Sequence, residues 1–504
     1  MDPMYQAEHL QFVSNHTGTN PLEIILVGSP LHCSLLLLAS LSQWLALDYS
    51  TFLGAILEWA VTTIPILLSL TILSDYSAHI SLVLFLLGLA ALLLAQGYRK
   101  NKNSLNRIWD LTVSLPNKAV FLTSYRASML LVTTICILAV DFPAFPRRFA
   151  KTETFGYGLM DIGVGSFVFS NGLVSPEARQ LSSSIRKNLV GCVPLILLGV
   201  ARLISVTVVG YHENVTEYGQ HWNFFFTLAS VRLLSSLLLP LVKETKMVWV
   251  VSVVVAVLYE GVLTFWVGEW IVSEAPRDNF ISANREGIFS SLGYLAIYLA
   301  GVAWGREILN TRGSMSELLV VTRLLVLWTG IMWLSLAYST TFFLPPSRRM
   351  ANYTFFTWIV AYNLSLLSLF LLLDLLIMFV GEVRLGSTQD GARSNRVTRA
   401  KARQGQDTNI RKLPKKTKDT MPSDKPSPSL ECTVYRCPTI YQAIDYNGLV
   451  FFLLANLATG AVNMMVPTLH TEDLLAVAIL WGYLAVLSLV AQVLYKCNIK
   501  LKCW

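Results

Sequence analysis

Mostly apolar stretches long enough to cross a bilayer follow one another along almost the whole chain, separated by short polar joints. A helix rises about 1.5 Å per residue, so about 20 apolar residues span the hydrocarbon. On that measure the pattern predicts about thirteen spans: 24–46, 51–72, 77–96, 123–141, 159–174, 189–209, 221–242, 247–267, 287–304, 318–343, 354–380, 446–467 and 472–494. The fifth is short, and its start can slide by several residues. The expected architecture is an all-α polytopic membrane protein. Residues 1–380 carry the first eleven helices, 381–444 a polar segment, and 445–504 the last two helices and a tail.

Composition agrees with this pattern. Of 504 residues 54% are apolar and only 14% charged, with a mean hydropathy of +0.54. Soluble domains carry about 25% charged residues. Too little charge is present to cover a water-facing surface of this size, so lipid is the expected solvent. The 381–444 stretch differs in kind: it is basic, rich in Pro and Ser and poor in aromatics. It reads as a disordered, solvated cytosolic linker, with contact to anionic lipid headgroups as the sharper alternative. The opening MDPMYQAEHL has no Lys or Arg ahead of the first apolar run, so no cleaved signal peptide is expected.

Charge sets the expected sidedness, because Lys and Arg favour cytosolic loops. An N-terminus in the lumen and a C-terminus in the cytosol put 29 of the 39 Lys and Arg on the cytosolic side. Seven are luminal: Arg147, Arg148, Lys151, Arg277, Arg285, Arg348 and Arg349. The other three, Arg202, Arg232 and Arg323, lie within spans. The glycosylation sequons at Asn15, Asn214 and Asn352 all fall luminal, while that at Asn363 lies inside a span and is expected to be silent. Lys500 and Lys502 have the spacing of a dilysine endoplasmic-reticulum retrieval signal.

Ionisable groups are expensive in hydrocarbon, so each is a functional candidate. They are Glu58, Asp141, Asp161, Arg202, His221, Arg232, Glu260 and Asp374, and most fall in the luminal half. The densest segment runs from Asp141 to Gly158. Pro143 and Pro146 end a helix there, and Gly156 and Gly158 permit a tight re-entry. Its three cations, Arg147, Arg148 and Lys151, run against the sidedness bias, which marks them as functional. A carboxylate at a helix end beside an ammonium can take a proton from a hydroxyl. Lys151 would then keep Asp141 ionised or steady an oxyanion. A purely structural Asp141–Lys151 ion pair suits the same residues.

Substrate-contact candidates are Arg147, Arg148, Glu153, Asp161, Arg202, His221, Asn223, Arg232, Asn284 and Arg285. Arg202 and Arg232 suit bidentate phosphate binding, or pairing with Glu260 or Asp161. His221 reads as an interfacial anchor as readily as a base. The segment 277–287 is a headgroup contact or a capped turn. Asn447, Asn456 and Asn463 either line a polar cavity or join helices. The seven cysteines form neither a disulfide framework nor a metal-site spacing, since Cys432 and Cys437 have no second pair nearby. No nucleotide-binding or metalloprotease motif is present, and neither a bound metal nor a nucleic-acid partner is expected.

The string DFPAFPRRFAKTETFGYGLMDIGVGSFVFSNGLVS from Asp141 is specific. With EYGQHWNFFFTL from Glu217, NFISANREGIFSSLGY from Asn279 and NGLVFFLLANLATGAVN from Asn447, it resembles the inositol acyltransferases of glycosylphosphatidylinositol (GPI) anchor biosynthesis. These are the family of the animal phosphatidylinositol-glycan class W protein and the fungal GPI-anchored wall transfer protein, and the resemblance covers the whole chain. It implies transfer of an acyl group, usually palmitoyl, from acyl-coenzyme A to the inositol 2-hydroxyl of glucosaminyl-phosphatidylinositol in the endoplasmic reticulum membrane. Acyl-coenzyme A is then a co-substrate, with no resident cofactor. The resemblance also implies Asp141 and Lys151 as the catalytic pair, acting by direct transfer without an acyl-enzyme. Since the coenzyme is cytosolic, its phosphates are expected on Lys118, Arg126 or Arg323, with the thioester reaching Asp141 through the bundle. Rival expectations are a lipid transporter or flippase, an O-acyltransferase with His221 as base, and a non-catalytic subunit of an anchor-assembly complex.

Overall fold

The computed structural model describes residues 3–45, 47, 49, 51–96, 120–181, 185–209, 216–242, 244–310, 315–377 and 437–501. Among them, twelve helices are long and apolar enough to cross a membrane. In chain order the main helices are α1 (Pro3–Val13), α2 (Pro21–Leu45, interrupted at Ser29), α3 (Phe52–Leu70), α4 (Ser77–Gln96), α5 (Val120–Ala139), α6 (Leu159–Leu173), α7 (Ile185–Val209) and α8 (Phe224–Leu238). They continue as α9 (Thr245–Val262), α10 (Arg285–Leu309), α11 (Met315–Phe342), α12 (Tyr353–Ile377), α13 (Thr439–Tyr446), α14 (Gly448–Met465) and α15 (Asp473–Lys496). Strands β1 (His16–Gly18) and β2 (Thr152–Tyr157) pair in parallel. Large apolar side chains on α4, such as Leu82, Phe85 and Leu86, are exposed as lipid-facing residues should be.

The fifth predicted span, α6, has 15 residues, about 22 Å of helix against a hydrocarbon core of about 30 Å. It is not among the twelve. It packs against α10, α5 and Ile359 of α12, so its length need not match a bilayer that it does not face. The turn that follows reaches the end of α10: Arg306 Nε donates to the Glu177 carbonyl at 3.2 Å. Contact between α6 and α10 is close enough for backbone to touch backbone. A Cβ at Gly172 would lie 2.3 Å from the Tyr298 carbonyl oxygen, and one at Gly301 2.2 Å from that of Phe169. Small residues permit this approach between membrane helices. Gly301→Leu is therefore expected to destabilise the bundle by about 1–3 kcal/mol or more. Gly330→Leu, where a side chain meets nothing within 4 Å, should leave thermal unfolding in detergent unchanged.

The two ends of the described chain lie at opposite ends of α14. The Tyr5 hydroxyl accepts from Leu469 N–H at 3.2 Å, beyond the end of α14. Asn447, at its start, bonds Ile499 O and Leu501 N. One correction concerns the segment expected as linker over 381–444. Its last part forms α13, with Ile440, Tyr441, Ala443 and Ile444 buried. The Glu58 carboxylate accepts from Thr439 N–H at the start of α13, so this span carboxylate holds a helix end.

Candidate functional site

Asp141 follows α5, where Pro143 prevents the helix from continuing. Its carboxylate is nearly covered and both oxygens are engaged. Oδ1 accepts from His9 Nε2 at 3.1 Å, and Oδ2 accepts from Asn463 Nδ2 at 2.8 Å. The direct Asp141–Lys151 ion pair expected from the sequence does not form. Lys151 Nζ instead lies 2.6 Å from Glu217 Oε1, with the Lys151 side chain 45% exposed.

The other two cations of the loop are tied down. Arg147 donates to the carbonyls of Val140 at 2.8 Å, Phe142 at 2.9 Å and Phe145 at 2.7 Å, and its guanidinium lies 4.0 Å from the Phe12 ring centre. Burial lowers its pKa to about 10, against the pull of Asp141. Arg148 bridges Glu23 at 2.8 Å and Asp75. Both fix the loop, which leaves Lys151 as its half-exposed cation.

Asp161 opens α6 and closes the loop onto it. Its carboxylate accepts from Thr152 Oγ1 at 2.7 Å, Thr152 N–H at 3.1 Å, Gly158 N–H at 3.2 Å and Arg348 Nε at 2.9 Å. Arg348 also reaches Glu217 at 3.3 Å. Burial alone would raise the Glu217 pKa, but Lys151, Arg348 and Arg202 outweigh it and hold the carboxyl near 2. The same loop is stitched to β1. Gly156 has φ +136°, and a Cβ there would meet the Thr17 carbonyl oxygen at 2.1 Å, so the strand contact requires glycine.

The remaining candidates divide by environment. Asn223 caps α8 through Phe225 N–H and ties it to the Gly199 carbonyl. Asn284 accepts from His221 N–H at 2.8 Å, while the His221 side chain is exposed. Glu153 accepts from Thr216 Oγ1 at 3.3 Å. Arg285 is buried, donating to the carbonyls of Ala275 at 3.1 Å and of Ser273, beside a Glu286 that also binds Arg277 and Arg349. Arg232 donates to the Gly191 carbonyl at 3.1 Å. Arg232 and Arg202 do not form the expected pairs with Glu260 or Asp161: Glu260 accepts from Tyr353 N–H at 2.8 Å, and Asp161 is taken by Arg348.

Toward the opposite end, Arg126 is neutralised by Asp445 at 2.5 Å, which weakens it as a phosphate ligand, whereas Arg323 is exposed. Lys118, Asn214 and Lys502 lie outside the described residues. Asn352 is a further correction. It is buried, with Oδ1 accepting from Ser347 and Phe355 N–H and Nδ2 donating to the Pro345 carbonyl, so the folded chain cannot present it to a glycan. Asn15 is exposed, in a turn with φ +62°.

Sequence reasoning missed His9, Glu217 and Arg348 as site residues. One signal was available for the first. Tyr5, His9 and Phe12 follow the i, i+4, i+7 spacing of one helical face. In α1 these three meet Thr468, Asp141 and Arg147 respectively.

Fold and site together define a polytopic membrane protein with a sheltered carboxylate–imidazole pair and a half-exposed ammonium on one membrane face. A family model described as GWT1 matches residues 5–494. The chain belongs to the GWT1 family. It is 35% identical to glucosaminyl-phosphatidylinositol-acyltransferase PIGW of Bos taurus and to the protein of the same name in Homo sapiens, covering 98% of both chains in each case. It is also 35% identical to GPI-anchored wall transfer protein 1 of Aspergillus fumigatus, over 99% of both chains.

Proposed function

We propose that this chain is an O-acyltransferase that places a fatty acyl group on the inositol of glucosaminyl-phosphatidylinositol during GPI-anchor assembly. The activity is the one named for the animal relatives. The observation that carries it to this chain is Asp141, a carboxylate held by two side-chain hydrogen bonds at a helix end on the membrane face. A fixed carboxylate there suits acid–base work on a lipid-headgroup hydroxyl, directly or through a side chain that it holds.

The donor is an acyl-coenzyme A, palmitoyl by preference, and the acceptor oxygen is the inositol 2-hydroxyl. Lys151, sharing its charge with Glu217, faces the carbonyl oxygen as it gains negative charge. Arg202, exposed and acting on Glu217, and the exposed His221 are the candidates for the phosphodiester. The coenzyme phosphates bind toward the opposite face, near Arg323, with Lys118 a candidate from the sequence alone. The enzyme works in the endoplasmic reticulum membrane with Asp141 on the luminal side.

The deciding experiment uses detergent-purified full chain, labelled palmitoyl-coenzyme A and glucosaminyl-phosphatidylinositol. Formation of the inositol-acylated lipid is expected. Absence of product from protein that melts cooperatively in detergent would refute the assignment. Sidedness has its own test, by gel mobility with and without endoglycosidase. Asn15→Gln is expected to remove a glycan, and Asn352→Gln to leave the glycan pattern unchanged.

A further inference from the structure

We propose that His9 of the N-terminal helix is the group that takes the hydroxyl proton, and that Asp141 acts by orienting it. This rests on the acyltransferase reading above. Three features of the pair point the same way. Both Asp141 oxygens are already occupied, by His9 and Asn463, and its side chain is only 8% exposed, while that of His9 is 21% exposed. The more accessible member of the pair is thus the imidazole. A carboxylate oxygen accepts, so His9 donates from Nε2, which places its lone pair on Nδ1. Among the described residues, none bonds Nδ1. An imidazole is also better matched than a carboxylate to proton transfer at neutral pH.

The ring is held on several sides. Tyr5 stacks on it at 6.2 Å, and Tyr5 is anchored in turn through Thr468 and Leu469. Phe12, on the same face of α1, lies against Arg147. The charged and titratable groups around His9 are Tyr5 and Glu8 on its own helix, Asp141 and Arg147 from the loop, and His470 across the turn, which pairs with Glu8 at 3.7 Å. Carboxylate, imidazole and open nitrogen follow the order of a Ser-His-Asp relay, in which the carboxylate fixes the tautomer and stabilises the imidazolium without itself being protonated. The inositol hydroxyl takes the place of the serine.

The inositol O–H bond breaks, its proton passes to Nδ1 of His9, and the oxygen forms a bond to the thioester carbonyl carbon. As the tetrahedral intermediate collapses, the C–S bond breaks. The imidazolium returns its proton to the leaving thiolate, giving the free thiol and neutral His9.

The test compares wild type, His9→Gln and His9→Ala in the purified acyl-transfer assay across pH. Wild-type kcat is expected to fall on acidification, because a protonated His9 has no lone pair with which to take the hydroxyl proton. His9→Gln should lose about 100-fold or more in kcat with little change in KM, and lose that acidic limb. Added imidazole should partly restore His9→Ala, which a merely structural histidine would not show. Wild-type transfer together with His9→Gln activity within about threefold of it, acidic limb intact, would overturn the role of His9 and leave the acyltransferase assignment standing. Loss in His9→Ala without rescue, together with an unchanged limb in His9→Gln, would also overturn it. No transfer by wild type would remove both.

Discussion

Asp141→Asn is expected to lower kcat for acyl transfer by about 10²–10⁴-fold while KM and thermal stability barely move. The replacement keeps the side chain's shape, so the cradle of His9 and Asn463 stays filled. Its chemistry does not survive. An amide offers one acceptor oxygen where the carboxylate offers two, so one of His9 and Asn463 faces an NH₂ group. It also stabilises no positive charge on an imidazole. If the amide turns its NH₂ toward His9, the ring must accept there and present N–H at Nδ1, the wrong tautomer for taking a proton. Initial rates with labelled acyl-coenzyme A, alongside melting in detergent, separate the two effects. A loss smaller than about tenfold would remove Asp141 from the chemistry.

The largest stability effect is expected at Arg348. Its guanidinium is buried between Asp161 and Glu217, both on elements that frame the site. Arg348→Met leaves Asp161 buried without its counter-charge, and breaking a buried pair from one side costs about 3–5 kcal/mol. Adding Asp161→Asn should recover part of the loss, so the two changes are less damaging together than their sum. Thermal melts of the two single variants and the double variant measure this coupling. Acid behaviour supplies a second reading. Glu217 is held near 2 from an ordinary 4.5, so its stabilising contribution is complete above about pH 4.5 and disappears as the pH falls toward 2. Without Arg348 one of the charges holding it down is gone, so this contribution is expected to be smaller and to be fully lost at a higher pH.

The sequence made the helices legible because lipid demands long apolar runs, and twelve of the thirteen expected runs are long spanning helices. The exception, α6, was legible as an apolar segment. Its enclosure by α10 was not, because the short length alone does not say whether lipid or protein surrounds it. Asp141 and the loop after it stood out through prolines, glycines and misplaced cations. What Arg148 and Lys151 do depended on partners far along the chain, and hydropathy carries no information about pairing. Arg147 turned to nearby carbonyls, Arg148 to Glu23 and Asp75, and Lys151 to Glu217. Asn352 looked like a sequon, but burial made it a hub of backbone hydrogen bonds. His9 was hidden because a short polar helix before the first span reads as a loose end, and only the spacing of Tyr5, His9 and Phe12 hinted at a packed face.

The cradle around Asp141 draws on the first helix and on α14, and Asn463 comes 322 residues after Asp141. Ribosomes deliver the chain from the N-terminus, so His9 and Asp141 enter the membrane long before the amide that completes their setting. Contacts this distant in sequence form late in folding. A nascent or truncated chain that lacks α14 therefore carries most of its helices and an unfinished carboxylate. Synthesis itself withholds the finished site until the penultimate span is in place.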